Sequence, residues 1–451
     1  MLEERFPDVV ATQPELLARH YREGRDFAAA IRYLGQAGTI ALQGSAIREA
    51  IAHFREGISL LPKVGAEGTA VEVSFQVGLG GALIIGEGYV TPDVERALKR
   101  ALEIGSQIGD GPELLPALHG LWLYALVGGR FDEAGNLSER MLALTERIDD
   151  ANIRAEAEYS RGLTMLFIGQ PTSARALLES AIARLDPSAP RILIAEHKAD
   201  ATFRIFLAGA LWVLGFPDAA ASVAATAVEL AEQYDHPFTL GTVLAWDGVV
   251  LQLLGQDAAA AEAGRRGVAI SEANGLPFWQ LCSALVVASS AEPADRIRAL
   301  PPVIEAYNGI GARVMETHFR LRLATAHRDL GDDVRALQVL DEASQVARDT
   351  GQTWLESESL RLRGEILAAT DARAGEEWLR RAMDLARAQG SRMFELRVAV
   401  SLGRLLAGRG EVRNAQNMLR GVLDAFTEGF ETHDLRQAQA FLLELDGSTN
   451  L

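Results

Sequence analysis

Apolar and small residues recur along this chain at helical spacing and in a repeating order. Within residues 31–62, two apolar stretches separated by a short turn indicate two antiparallel helices. The small and large positions of this unit are Leu34, Ala37, Gly38, Ala41, Ala50, Phe54, Gly57 and Pro62. Small residues at Gly38 and Ala50 allow the helices to approach closely, and Phe54 fills the space between one unit and the next. No stretch alternates between apolar and polar residues, so no β-strand is predicted.

The same unit returns downstream as a glycine that ends one helix and an alanine five residues later in the next. The pairs are Gly129 with Ala134, Gly169 with Ala174, Gly215 with Ala220, Gly255 with Ala260, Gly331 with Ala336, and Gly410 with Ala415. Glycine favours the left-handed turn that ends a helix. The first helices also carry a small close-approach residue, at Gly162, Ala208, Gly248, Ala324, Gly364 and Gly403. The pattern is that of tetratricopeptide repeats, with a period longer than the standard of about 34 residues.

We therefore predict an all-α fold, a right-handed superhelix (solenoid) of about ten antiparallel helix pairs that are tetratricopeptide-like but elongated. Residues 1–25 are expected to form a leading helix at a junction with an absent ATPase module, residues 26–445 one continuous repeat array, and residues 446–451 a frayed tail. Residues 86–93 contain glycines and Pro92 and are expected to project as a loop. A degenerate repeat around residues 289–302 indicates a bend.

Composition and charge narrow the possible partners. Apolar residues make up 48% of the chain and its formal net charge is −17, so it can form a core but repels nucleic acid and anionic membranes. The longest apolar stretches, such as Phe206–Gly215, are shorter than the roughly 20 residues needed to cross a bilayer. The single cysteine, Cys282, excludes an intramolecular disulfide, and the acidic segment Met1–Asp8 lacks an export signal. We expect a cytoplasmic protein that binds neither nucleic acid nor membrane.

Motifs for catalysis, cofactors and metals are missing from the sequence. The glycine-rich segment Gly78–Gly81 lacks the third glycine of a dinucleotide-binding fingerprint, and no phosphate-binding loop is present. The eight histidines are scattered without metal-ligand spacing, and Cys282 has no histidine near it in sequence. Phe278 and Trp279 fit a repeat core better than a ligand platform. We predict no enzyme activity, no cofactor and no metal.

Four stretches carry a more specific resemblance. They are Thr12–Tyr21, Ala50–Phe54, Gly88–Pro92 and Phe426–Leu435. Together with the repeat pattern, they resemble the C-terminal tetratricopeptide region of bacterial signalling proteins that carry an adenylate/guanylate cyclase domain and a STAND-type (AAA-like) ATPase. The resemblance implies a sensing or docking arm of such a system, with the upstream cyclase and ATPase modules among its candidate partners. Family members tend to carry a Gly-x-Asp-Pro-Gly-Val-Ala-like segment where this chain reads Glu196–Thr202.

Stacked helix pairs create a concave groove suited to a protein or peptide partner, which is the function we predict first. The groove candidates form an apolar-aromatic stretch that leads into a basic strip. They are His119, Leu123, Tyr159, Phe167 and Trp212, followed by His318, Arg328, Arg361, Arg397 and Arg404. The hypothesis is an acidic, partly apolar peptide held by arginines and aromatic rings. Pairing of these arginines with neighbours such as Glu358 and Glu365 is the structural alternative.

A small-ligand sensor domain of a STAND-type cyclase or transcription regulator is the second functional hypothesis. It requires a deep, mostly apolar pocket with a few polar groups. The sequence predicts no oligomeric state.

Overall fold

The computed structural model describes residues 13–44, 46–65, 68–109, 114–186 and 197–448. Over these ranges the chain forms twenty-two α-helices, one short 3-10 helix at Leu61–Lys63, and no β-strand. The helices are α1 Pro14–Glu23, α2 Phe27–Gln43, α3 Ile47–Leu60, α4 Gly68–Glu87, α5 Pro92–Ile108, α6 Leu115–Val127, α7 Phe131–Thr145, α8 Ala151–Phe167, α9 Pro171–Arg184, α10 Ala199–Val213, α11 Pro217–Gln233, α12 Pro237–Leu253, α13 Asp257–Ala273, α14 Pro277–Ser289, α15 Pro293–Gly309, α16 Glu316–Asp329, α17 Asp333–Thr350, α18 Glu356–Ala368, α19 Ala372–Gln389, α20 Arg392–Gly408, α21 Val412–Leu423 and α22 His433–Ser448.

Helices α2 to α21 form ten consecutive pairs, each helix packing mainly on its neighbours in the chain. Helix α1 precedes the first pair and packs on α2, and α22 follows the last pair. The predicted all-helical, tetratricopeptide-like solenoid is confirmed. Residues 1–12, at the start of the expected leading segment, lie outside the described residues, as do residues 449–451.

The turn glycines adopt the conformation that the sequence pattern predicts. All six have positive φ angles, from +71° at Gly129 to +91° at Gly215. Side chains rarely adopt this left-handed region, whereas glycine reaches it without steric strain. These six glycines therefore end the first helix of their pairs.

The first pair also packs as predicted. The ring of Phe54 lies between the bare backbones of Gly38 on α2 and Gly78 on α4. A Cβ atom at either glycine would come within about 2.7 Å or less of the ring. Gly78 and Gly80 therefore serve helix packing, and their segment lies inside α4.

Distant parts of the solenoid meet along a line that we call the seam. The backbone carbonyl of Val127 accepts hydrogen bonds from the amides of Arg313 and Val314 at 2.8 and 3.2 Å. The carbonyl of Phe167 accepts hydrogen bonds in the same way from Thr353 and Trp354 at 3.0 and 3.2 Å. Each carbonyl lies at or next to the end of a first helix, and each amide pair immediately precedes a later first helix. The superhelix therefore closes on itself.

Side chains continue the seam toward the C-terminus. The amide of Gly429 donates to the carboxylate of Asp218 at 2.8 Å, and the amide of Ala219 donates to Glu428 at 2.9 Å. The first turn of α11 is thereby fixed to the segment that precedes α22.

Closure explains why several first helices are apolar on all sides. In α6 every residue except Leu123 is buried. A helix without a polar face must be covered all round, and α6 is covered by its own pair, by the neighbouring repeats and by the seam.

Two local expectations are corrected. Residues 86–93 do not project, because Tyr89 is buried and its ring meets those of Phe278 and Trp279 at centroid distances of 4.7 and 6.3 Å. Helix α22 continues through residues 446–448, where Asp446 pairs with Arg420 at 2.7 Å, so fraying does not begin at residue 446.

Among the residues that the structure describes, one helical window, Ala70–Glu87 in α4, is long and apolar enough to cross a membrane, with a mean hydropathy of 1.3. This window is longer than the apolar stretches noted in the sequence. Half of this window is buried inside the repeat array.

Candidate functional site

The structure brings five of the ten predicted site residues into one solvent-open cleft, which we call the charged cleft. Its walls come from the first helices α16, α18 and α20, from α22 and from the end of α12, and its volume is about 780 Å³. The predicted residues that line it are His318, Arg328, Arg361, Arg397 and Arg404. The sequence pattern predicts all five at inward-facing positions of their repeats.

Arg361 is held at the centre of the cleft by two carboxylates on its own helix. It pairs with Glu358 at 2.8 Å and with Glu365 at 2.5 Å. Burial alone would raise the pKa of Glu358, but the charge and hydrogen bonds of Arg361 outweigh it and lower that pKa to about 2. Burial likewise opposes the charge on Arg361, yet Glu358 raises the pKa of the guanidinium. Both groups are charged at neutral pH.

Arg397 links the cleft to the seam. It pairs with Asp434 at 2.8 Å and with Glu358 at 3.5 Å, and it donates to the backbone carbonyl of Leu253 at 3.1 Å. Its guanidinium also lies 4.8 Å from the ring centroid of Trp212. Trp212 was predicted on an open groove, but it is fully buried between α10 and α20.

The remaining arginines differ in how their charge is balanced. Arg328 pairs with Asp329 at 2.8 Å and with Glu365 at 2.5 Å. Arg404 is exposed, and its guanidinium lies 5.6 Å from the ring centroid of Phe441. Within the described part of the chain Arg404 forms no ion pair. Three of the predicted arginines therefore have internal partners, as the structural alternative required, whereas Arg404 keeps an unbalanced charge at the cleft.

His318 contributes no positive charge to the predicted basic strip. It is buried and its Nε2 lies 2.8 Å from Oε1 of Gln252. Burial, together with the charges of Arg322 and Arg397, lowers its pKa to about 3. His318 is therefore a neutral hydrogen-bonding group at pH 7.

Three other predicted residues, Leu123, Tyr159 and Phe167, line a second space that we call the aromatic cavity. It has a volume of about 50 Å³ and lies inside the solenoid rather than on an open groove. Apolar and aromatic side chains dominate its wall. The full lining is Tyr89, Leu123, Leu126, Val127, Tyr159, Leu163, Phe167, His197, Thr202, Phe206, Phe238, Thr242, Trp246, Phe278, Trp279, Val314 and Met315.

The polar groups of this wall are few. The hydroxyl of Thr242 donates to the carbonyl of Phe238 at 2.8 Å. The hydroxyl of Thr202 is buried and has no hydrogen-bond partner among the described residues. Nε2 of His197 lies 3.3 Å from a carboxylate oxygen of Glu156. Of the two threonine hydroxyls, only that of Thr202 has its hydrogen-bonding capacity free among the described residues. The wall also carries the phenol hydroxyls of Tyr89 and Tyr159, and the indole N–H of Trp279 is buried without a partner in the described part of the chain.

The tenth predicted residue, His119, lies behind the aromatic cavity and does not line it. It is fully buried, with its ring 5.3 Å from that of Trp122 and 6.3 Å from that of His197. Burial lowers its pKa to about 4, although the charge of Glu156 opposes that shift. Neither ring nitrogen has a hydrogen-bond partner among the described residues.

Sequence reasoning missed most of the cavity wall, including Tyr89, Trp246 and Met315. The sequence predicts a core role for Phe278 and Trp279 rather than a ligand platform. The structure places both side chains in the core and on the cavity wall. One feature of the sequence could have indicated this cavity. Helices α6, α12 and α14 have no polar face, so each must be covered on all sides by other parts of the protein. In the described ranges, no group of three or more His, Cys, Asp or Glu residues is arranged to hold a metal ion.

No family model and no curated protein matches this chain. Among solved structures, it is similar to a Rap protein complexed with Competence and Sporulation Factor, at 12% identity over 93% of this chain and 98% of that one, with a TM-score of 0.44. It is similar to the apo form of the quorum sensor NprR from B. thuringiensis at 11% identity, over 79% and 98% of the two chains, with a TM-score of 0.46.

A third similar structure is a Signal Transduction ATPase with Numerous Domains (STAND) protein with a tetratricopeptide repeat sensor, from Pyrococcus horikoshii. The identity is 14% over 84% of this chain and 55% of that one, with a TM-score of 0.42. The fold assignment rests on the helix pairs and turn glycines described above.

Proposed function

We propose that this chain is a non-catalytic repeat receptor of a signalling system that binds a protein or peptide segment in the charged cleft. The observation that carries the proposal is the convergence of five predicted inward residues in one open cleft of about 780 Å³. A space of this size accommodates several side chains of a bound segment. The signalling context comes from the resemblance to the repeat arm of cyclase and STAND ATPase proteins.

The cleft is prepared for a charged segment before binding. Arg361 and Glu358 have only 12% and 11% of their side chains exposed, and they fix one another. Arginines that are already oriented lose little conformational freedom when a carboxylate of the partner arrives. Preformed side chains of both signs favour a segment that carries both positive and negative charges over the acidic, partly apolar peptide predicted from the sequence.

Arg404 is the residue through which the partner's carboxylate would be recognised. Its charge is unbalanced within the described residues, whereas a carboxylate approaching Arg328 or Arg361 must compete with Glu365. Charge reversal of Arg361 together with Arg397 would not test binding cleanly, because it would place new carboxylates against Glu358 and disrupt the fold. Reversal at Arg404 avoids this problem.

The test is selection from a display library of random short peptides against the full chain, followed by titration of the selected peptides. We expect Arg404→Glu to weaken binding at least tenfold and to leave the melting temperature unchanged. The matched control is Arg413→Glu, which reverses an exposed arginine on α21 that does not line the cleft. Failure to select any peptide, or equal affinity for the wild-type and Arg404→Glu chains, would overturn the proposal.

A further inference from the structure

We propose that the aromatic cavity is a second binding site, which takes a small, uncharged and largely apolar molecule. This site is separate from the charged cleft and does not depend on the function proposed for it. Its wall comes from the first helices α6, α8, α10, α12 and α14, from Tyr89 before α5, and from Val314 and Met315 before α16.

The volume of the cavity is the first argument. Protein interiors are close-packed, with few voids larger than a water molecule. A cavity of about 50 Å³ exceeds the roughly 10–15 Å³ that a single water requires. Surrounding large side chains such as Trp246 and Phe206 have not closed it.

Wall chemistry decides the class of ligand. An ion would lose its hydration on entry and find no balancing charge on an apolar wall. A molecule with one polar group would find the free hydroxyl of Thr202, which both donates and accepts hydrogen bonds. The wall therefore selects an apolar body with at most one or two uncharged polar atoms.

Met315 allows the site to accept a ring-sized molecule. An apolar cavity of about 150 Å³ in another protein binds benzene, so the present space must widen to hold a ring. Methionine has three rotatable bonds and a polarisable thioether, and it adapts readily to the shape of its neighbours. Met315 lies beside the seam, so its movement enlarges the cavity without displacing a helix core.

Occupancy of the cavity is coupled to closure of the superhelix. Val127 and Phe167 line the cavity, and their carbonyls accept the seam hydrogen bonds. Val314 lines the opposite side and donates one of those bonds. A ligand that contacts Val127 or Phe167 on one side and Val314 on the other can bind only when the seam is closed. Its binding therefore stabilises the closed seam relative to an open one.

Benzene, phenol and benzoate are the probes that test this site on the full chain. We expect saturable increases in melting temperature with benzene and with phenol, and none with benzoate, because only benzoate carries a charge. Hydrogen exchange should slow at the amides of Val314 and Trp354 when phenol is bound. Thr202→Val keeps the side-chain shape and removes the hydroxyl, so it should weaken phenol about three- to tenfold and leave benzene unchanged.

A filled cavity provides the second control. Thr202→Leu extends the side chain into the space and should abolish binding of both benzene and phenol. Arg404→Glu should leave both responses intact, which separates this site from the charged cleft. The proposal is overturned if neither benzene nor phenol binds saturably, as for a cavity that holds only water. Equal binding of benzoate, or full binding by Thr202→Leu, would overturn it as well.

Discussion

Trp354 donates its backbone N–H to the carbonyl oxygen of Phe167 at 3.2 Å, and the two rings meet edge to face with centroids 5.9 Å apart. The two residues belong to repeats that are far apart in sequence. This pairing shows that the array is a closed superhelix whose inner surface is shared between early and late repeats. The aromatic cavity and the charged cleft both follow from that closure.

The seam predicts unequal effects of one substitution at two similar turns. Gly169 and Gly331 have φ angles of +76° and +77°, so an alanine at either position should cost about 1–2 kcal/mol of conformational strain. A Cβ at Gly169 would also collide with Gln389 and lie 2.8 Å from Oγ1 of Thr353, whereas nothing lies within 4 Å at Gly331. We expect Gly169→Ala to destabilise by at least about 1 kcal/mol more than Gly331→Ala in urea denaturation. Equal losses would mean that the seam is not formed in solution.

Close-approach glycines should not tolerate large side chains. A Cβ at Gly248 would lie 2.5 Å from Val286 on α14, and one at Gly162 would lie 3.1 Å from Leu178 on α9. We expect Gly248→Leu and Gly162→Leu each to lower the free energy of unfolding by about 1–3 kcal/mol or more, with the larger loss at Gly248.

The control for these variants is Gly421→Leu on α21, where a Cβ meets nothing within 4 Å. Because leucine is a better helix former than glycine, this change should be neutral or slightly stabilising. If all three variants melt like the wild type, the assignment of Gly162 and Gly248 to close-approach positions is wrong.

Removal of one partner from the buried ion pairs should be costly. Arg361→Met leaves Glu358 and Glu365 without their shared cation, and such a loss typically destabilises by about 3–5 kcal/mol. Arg397 still balances part of the charge of Glu358, so we expect a value near the lower end of that range. Arg373→Met breaks an exposed pair with Glu377 and should change stability by less than about 1 kcal/mol. Equal, small effects of both variants in denaturant titrations would contradict the buried network.

Acid should destabilise the protein through two buried histidines. The pKa of His119 is lowered to about 4 and that of His318 to about 3, whereas an unfolded histidine titrates near pH 6.5. Their stabilising contribution is complete above about pH 6.5 and is lost as the pH falls from there toward the folded pKa values, because the unfolded chain then binds more protons.

The measurement is the free energy of unfolding between about pH 6.5 and 4.5. Glu358 stays charged throughout this range, because its pKa is lowered to about 2. His119→Phe and His318→Gln should each reduce the fall over this range by roughly 2 kcal/mol. An unchanged slope in both variants would show that these histidines are not buried in their neutral form.

The sequence by itself determined the repeat unit, its all-helical structure and its turns. These features depend on residues close together in the chain: a glycine such as Gly129 ends its helix by a local backbone preference, and Phe54 packs between Gly38 and Gly78 within neighbouring repeats. The inward register of Arg361 and Arg397 followed from the same short-range periodicity.

Only the tertiary structure decided whether those inward faces stay open. Closure depends on the small rotation between successive repeats, which adds up over many helix pairs. The contact between Phe167 and Trp354 therefore cannot be predicted from a local sequence pattern. The sum of these rotations buries Trp212 beside Arg397, places Leu123 and Tyr159 on the wall of the aromatic cavity, and leaves the charge of Arg404 unbalanced at the charged cleft. Ion pairs such as Arg397 with Asp434 join different repeats, so the charges available to a partner also depended on the tertiary fold.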